Sequence, residues 1–244
     1  MAERRRALVT GGSRGIGAAA VKALAARGLD VIFTYQHAEA EAETLAKELH
    51  AFPGRVEPRQ YDLLTGDAES LVNFAVERMG GLDSVILNAG WWSGGRLVDL
   101  EPDQWWNIVE TNLRSCHRLS RASIPVLTSS PAGSLTLLSS AVGLIGFPGD
   151  TAYGSAKAAL VGFARSLAKE VGSQGVRVNV LAPGFVSTDM TAGIPDTSRD
   201  RILARTLLRR FASPEEMAAS IVFLSEDATF TTGTVLSADG GWTL

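Results

Sequence analysis

Tyr153 and Lys157 stand four residues apart in an alanine-rich stretch of this 244-residue chain. At that spacing two side chains share one face of a helix, so an ammonium can lie beside a phenol. A free phenol titrates near pH 10, too high for easy proton exchange at neutral pH. A neighbouring cation favours phenolate and draws that value toward the working range, which is the chemistry of a general acid or base. Such a pair also arises by chance on many helices, so its setting must carry the reading.

A second candidate site opens the chain. Ala7-Leu8-Val9 runs into Thr10-Gly11-Gly12-Ser13-Arg14-Gly15-Ile16-Gly17, and an alanine-rich helix pattern follows over Ala18–Ala26. Glycine is needed where a chain turns sharply, where backbone approaches a pyrophosphate, and where helix packs tightly on strand. The helix N-terminus adds unpaired N–H groups and a positive dipole end. Strand, glycines and helix in this order mark a dinucleotide site far better than a stray glycine cluster does.

These residues need a scaffold. β-rich runs occupy Ala7–Thr10, Asp30–Tyr35, Arg55–Gln60, Ser84–Leu87, Ser134–Leu138, Arg177–Leu181 and Thr234–Ser237. Helical patterns occupy Ile16–Arg27, Ala38–His50, Ala68–Met79, Pro102–Leu127, Ala152–Val171 and Pro214–Leu224. Alternation of this kind predicts an α/β fold: a doubly wound parallel sheet of about seven strands with helices on both faces. No linker, charge block or repeat divides the chain, so 1–244 reads as one domain. Segment 188–212, polar then basic, fits either a substrate lid over the carboxyl edge of the sheet or an ordinary surface helix pair.

The spacing Gly11-x-x-x-Gly15-x-Gly17 resembles the cofactor loop of the short-chain dehydrogenase/reductase family, and the resemblance extends from Thr10 to Gly241. It implies a Rossmann-like fold and four catalytic residues. Ser140, thirteen residues before Tyr153, matches the serine that binds the substrate oxygen, with Ser139 as its rival. Asn112 matches the residue that helps hold a water in a proton relay to the lysine; a structural asparagine is the plainer alternative. Tyr153 is then the acid, and Lys157 also holds the nicotinamide ribose.

The resemblance further assigns cofactor contacts to Thr10, Gly11, Ser13, Arg14, Gly15, Ile16 and Gly17, and to Tyr35, Leu63, Asn88, Ala89 and Gly90. Asp62 matches an adenine contact, or simply caps a helix. Pro183, Gly184, Val186 and Thr188 would flank the nicotinamide, with Tyr153 and Lys157. NAD enzymes place an acid at the end of the second strand. Tyr35 stands at that place here, and Arg14 is similar to the base of NADP-preferring members, so the expected cofactor is NADP(H).

The implied activity is NADPH-dependent reduction of a ketone or 3-oxoacyl carbonyl to a secondary alcohol. The run from Ser213-Pro214-Glu215-Glu216-Met217 to Asp239-Gly240-Gly241 looks like that of 3-oxoacyl-acyl-carrier-protein reductases. Basic residues those reductases use to meet an acidic carrier are missing at Thr128–Pro131 and Gly172–Gly175. Arg199, Arg201, Arg205, Arg209 and Arg210 are either a substitute or a solvated face. Trp91 and Trp92 either wall a pocket or pack with Trp105 and Trp106. With Ser140, Phe147, Asp150, Phe185 and Met190 they are the candidate substrate contacts. A sugar, polyol or other secondary-alcohol dehydrogenase is the alternative enzyme, and a nucleotide-binding regulatory protein the alternative from another class.

Bulk composition narrows the partners. A net charge of −3 gives no reason to expect nucleic acid or an acidic membrane. One cysteine, Cys116, allows no intrachain disulfide and reads as a core residue. His37, His50 and His117 are scattered, so no metal is expected. The basic start Met1–Arg6 passes straight into 7–9 and the glycines, unlike a secretory signal, and no apolar stretch reaches the roughly twenty residues of a membrane span. A cytoplasmic protein is expected, and the resemblance implies a homodimer or homotetramer.

Overall fold

The computed structural model describes residues 4–244, so Met1–Glu3 of the basic start lie outside the described residues. The strands are β1 (Arg6–Val9), β2 (Asp30–Tyr35), β3 (Val56–Gln60), β4 (Ser84–Leu87), β5 (Ser134–Leu138), β6 (Arg177–Pro183) and β7 (Val235–Ala238). The helices are α1 (Gly15–Ala26), α2 (Glu39–Glu48), α3 (Ala68–Met79), α4 (Pro102–Val109), α5 (Ser115–Leu127), α6 (Ala141–Ile145), α7 (Thr151–Val171), α8 (Asp189–Ala192), α9 (Asp196–Arg205) and α10 (Pro214–Val222). All strand pairs are parallel, in the order β3-β2-β1-β4-β5-β6-β7. The order reverses between β1 and β4, and open sheets of this kind bind ligands outside the carboxyl ends at such a point.

Side-chain alternation along the strands divides the core. Ala7, Val9, Val31 and Phe33 pack with α1, α2 and α10, whereas Leu8, Ile32, Val85 and Leu135 pack with α3, α5 and α7. Each large side chain buried here contributes about 1.5–3 kcal/mol. Cys116 lies in the second cluster as a buried free thiol. Pro58 is tolerated because β3 is an edge strand.

The helix expected over Pro102–Leu127 is interrupted. Residues Glu110–Arg114 form one π turn between α4 and α5. Asn112 Nδ2 donates to Ile108 O (2.8 Å) and Trp91 O (2.6 Å), and Ser115 Oγ donates to Thr111 O (2.5 Å). Side chains that bond the preceding carbonyls compete with the backbone ladder and widen the turn. A second π turn, Phe223–Asp227, ends the helix expected to run to Leu224, and Arg177 donates to the carbonyls of Leu224, Ser225 and Ala228.

Segment 188–212 holds α8 and α9 and returns to where it left. Ser187 N donates to Ala212 O, and Ala212 N to Phe185 O, both at 2.9 Å. Its start therefore stands at the carboxyl edge of the sheet, beside the end of β6. Among the described residues no helix is long and apolar enough to cross a membrane.

Candidate active site

A cleft of about 790 Å³ opens at the carboxyl ends of the central strands. One wall is the loop from β1 to α1. Gly15 turns the chain at φ +56°, and a Cβ on Gly17 would come within 2.0 Å of Gly11 O. Asn88, just past β4, donates from Nδ2 to Thr10 O (2.9 Å) and Gly11 O (3.0 Å), while Ala89 N donates to Thr10 Oγ1 (3.0 Å). Thr10 is buried and joins the loop to β4 through these bonds. No side chain caps the N-terminus of α1. Its first-turn amides and the glycine cradle together fit the phosphates of a dinucleotide.

Tyr35 lines the cleft at the end of β2, but carboxylates stand closer than the strand end alone suggested. Tyr35 Oη donates to Glu39 Oε1 at 3.4 Å, and Glu41, one turn into α2, lines the same rim. Arg14 reaches across the cleft mouth to Asp189, 3.5 Å between Nη1 and Oδ2, with both side chains exposed. A pair so exposed contributes little, which leaves the guanidinium available to an anion. Asp62 faces an adjoining groove rather than the cleft. It accepts from Leu64 N, Thr65 N and Gln36, and the bond from Thr65 is the largest cause holding its carboxyl below the usual range. Asp62 thereby closes the turn after β3, while the cap of α3 is Asp67, which accepts from Glu69 N.

The opposite wall carries the proton chemistry. Ser139 Oγ donates to Lys157 O at 2.7 Å and is buried, so that hydroxyl is committed to the backbone. Ser140 caps α6, accepting from Val142 N at 3.2 Å, and its hydroxyl bonds the phenol of Tyr153. Lys157 is buried, donates to Leu138 O at 2.9 Å and lies 5.4 Å from the centre of the Tyr153 ring. Burial pushes the Tyr153 phenol up to about 12 and pushes the Lys157 ammonium down. Lys157 is not among the groups that shift the phenol: burial raises it, the Ser140 bond lowers it and the Asp150 charge raises it, so the expected lowering gives way to a net rise. Asn112 Oδ1 is buried without a protein partner, and a Cβ on Gly90 would come within 2.6 Å of it and 3.3 Å of Lys157 Nζ.

Residues 11–243 match the model of the family described as enoyl-(acyl carrier protein) reductase. A solved Serratia marcescens short-chain dehydrogenase/reductase mutant superposes with a TM-score of 0.92 at 30% identity, covering 100% of each chain. The chain belongs to the short-chain dehydrogenase/reductase family. It is 39% identical to the 3-oxoacyl-[acyl-carrier-protein] reductase FabG of Salmonella typhimurium over 98% of this chain and 97% of that one. A blue fluorescent protein from a metagenomic library, solved in complex with NADPH, superposes with a TM-score of 0.92 at 31% identity, covering 98% of each chain.

In this short-chain dehydrogenase/reductase the cleft gathers the nominated Gly11, Ser13, Arg14, Gly15, Ile16 and Gly17 with Leu63, Asn88, Ala89 and Gly90. Pro183, Gly184, Val186 and Thr188 close its far side, with Trp91, Trp92 and Met190 at the mouth. Phe147, Asp150 and Phe185 do not line it. Phe147 and Phe185 pack with Trp242, rings 5.4–6.1 Å apart, in an apolar cluster that also takes in Tyr153. Asp150 instead accepts a bond from Trp92. Gln36, His37, Glu41, Leu138, Asp189 and Thr191 line the cleft without having been singled out. Glu41 and His37 could have been found by reading one turn past β2. Asp189 becomes visible only when the 188–212 segment is folded back. Among the described residues no His, Cys, Asp or Glu cluster gathers to hold a metal.

Proposed function

We propose that the chain is an NADPH-dependent carbonyl reductase that turns a ketone or 3-oxoacyl group into a secondary alcohol. One observation carries this reading: Ser140, Tyr153 and Lys157 face the same cleft as an uncapped α1 N-terminus and its glycine cradle. The relatives support it, one named for 3-oxoacyl reduction and one solved with NADPH.

The loop Gly11–Gly17 and Asn88–Gly90 would hold the cofactor's phosphates and sugars, with Lys157 at the nicotinamide ribose. NADPH, when bound, supplies the hydride. Tyr153 donates its proton to the substrate oxygen, and the Ser140 hydroxyl hydrogen-bonds that oxygen as negative charge develops. Lys157 stabilises the phenolate that remains. Asn112 serves the relay that restores the proton, through an Oδ1 that no protein donor satisfies and that lies beside Lys157. Segment 188–212 acts as the substrate lid, in keeping with its two-ended anchorage and with Asp189, Met190 and Thr191 on the cleft.

The basic run is partly engaged within the chain. Arg199 lies over the Phe211 ring, Arg209 donates to Leu203 O and Ala204 O, and Arg210 pairs with Glu216. A cytoplasmic homo-oligomer completes the reading; Trp106, 59% exposed on α4, is an apolar residue that a second copy would cover. Light scattering tests the assembly. The function itself is tested by NADPH oxidation against aryl ketones, diketones and acetoacetyl thioesters, with NADH in parallel. Turnover with NADPH is expected, and silence across the panel with cofactor bound would overturn the reductase.

A further inference from the structure

Trp92 Nε1 donates a 2.7 Å hydrogen bond to Asp150 Oδ1, joining the loop after β4 to the residue ahead of α7. A second bond comes from the same loop and a third from α4. Gly95 N donates to Gly149 O at 2.8 Å, and Trp105 Nε1 donates to Thr151 Oγ1 at 3.1 Å. All three anchor on 149–151, just before Tyr153 in the chain. Asp150 is 8% exposed, whereas Trp92 is 39% exposed and lines the cleft. A carboxylate so buried is costly unless bonded, and a bond to an ionised acceptor is about twice as strong as a neutral one. The indole therefore spends its polar edge on Asp150 and leaves only carbon surface for the cleft. Trp91, 44% exposed, and Met190, 49% exposed, extend that apolar surface.

Resting on the carbonyl-reductase reading, we propose that Asp150 is a positioning residue that latches Trp92 as a fixed wall of the carbonyl subsite, and that this wall selects ketones bearing a flat apolar group, such as aryl ketones. A wall ordered at folding needs no further ordering when substrate arrives. A flat ring gains offset stacking on an indole and a sulfur contact from a methionine. A flexible straight chain gains no stacking and loses rotamer freedom on entry.

The test compares wild type, Asp150→Ala, Asp150→Asn, Trp92→Ala and the Asp150→Ala/Trp92→Ala double variant. Each reduces an aryl alkyl ketone and a straight-chain ketone of equal carbon number with NADPH. Wild type is expected to favour the aryl ketone. Asp150→Ala should raise its KM about tenfold, against less than about twofold for the straight chain, with the change in KM exceeding that in kcat. Asp150→Asn keeps an oxygen acceptor and should recover most of that loss. The double variant should be no worse than Trp92→Ala, since both remove one contact. Additive losses, an equal rise in KM on both ketones, or a wild-type preference for the straight chain overturn the proposal. If wild type reduces neither ketone, the aryl-ketone preference is overturned, the reductase reading is decided by the wider carbonyl panel, and the latch is decided by the Trp92 indole N–H signal in NMR. Asp150→Ala should strip that proton of its protection from solvent exchange; an unchanged signal overturns the latch.

Discussion

The Tyr153 phenol meets three opposing influences. Burial raises its pKa, the bond from Ser140 draws it back, and the Asp150 charge raises it further, to about 12 in all. The proton-bearing form therefore dominates across the neutral range and is lost only as pH rises through that value. Removing the Asp150 charge should lower it. In Asp150→Asn, the phenolate absorbance assigned to Tyr153 by difference from Tyr153→Phe should appear at lower pH than in wild type. Tyr153→Phe should itself lose about 10²- to 10⁴-fold in turnover, the usual worth of a positioned acid, while still binding NADPH in a fluorescence titration. Arg14→Ala should weaken NADPH about tenfold and NADH much less, because only the former carries a 2′-phosphate. Equal losses would remove Arg14 from cofactor choice.

Glycine loop and strand end act together at the next scale. Asn88 bonds two successive carbonyls of the β1–α1 loop, and Gly17 lets α1 approach that loop closely enough for the cradle to form. Asn88→Ala removes both bonds without adding bulk. The expected cost is about 1–3 kcal/mol in urea unfolding, together with weaker NADPH binding, since the loop loses its tie to β4. A variant that loses stability yet binds cofactor as wild type does would limit Asn88 to structure. The π turn at Glu110–Arg114 plays a similar part on the other wall, fixing Asn112 between Ile108 O and Trp91 O so that only its Oδ1 remains for the cleft side.

At the amino edge of the sheet, away from the cleft, Asp83 holds the molecule together. Its carboxylate accepts from Arg6 N (2.8 Å), Arg6 Nε (2.9 Å), Arg6 Nη2 (3.1 Å) and Ser130 Oγ (2.6 Å), tying β1 and the start of β4 to the loop before β5. Burial alone would raise its pKa, but the bonds from Arg6 and Ser130 outweigh it and the net shift is downward. A depressed carboxylate stabilises the fold above its ordinary titration range, and that stability is lost as pH falls through the folded value. Asp83→Ala should cost about 3–5 kcal/mol at neutral pH by removing the buried carboxylate on which the bonds from Arg6 and Ser130 converge. The gap between variant and wild type in urea midpoints should narrow below about pH 4.

Local chemistry made much of this protein legible along the chain. Apolar runs bounded by glycine and polar turns placed all seven strands to within a residue or two, because a sheet covered on both faces admits little else. The order Thr10–Gly17 before an alanine-rich helix, and the four-residue spacing of Tyr153 and Lys157, are properties of short segments and survive folding unchanged. What depends on distant partners did not show. Pro102–Leu127 carries no helix breaker before Pro125, and the π turn goes with side-chain bonds of Asn112 and Ser115, one of which reaches the Trp91 carbonyl twenty-one residues away. Ser139 and Ser140 differ by one position and both line the cleft, but the Ser139 hydroxyl is committed to Lys157 O, a partner eighteen residues away. Asp150 looked like a substrate contact until the fold brought Trp92 to it across fifty-eight residues. Spacing fixes which residues share a face, but burial and hydrogen-bond partners are set by chain segments that meet only in three dimensions.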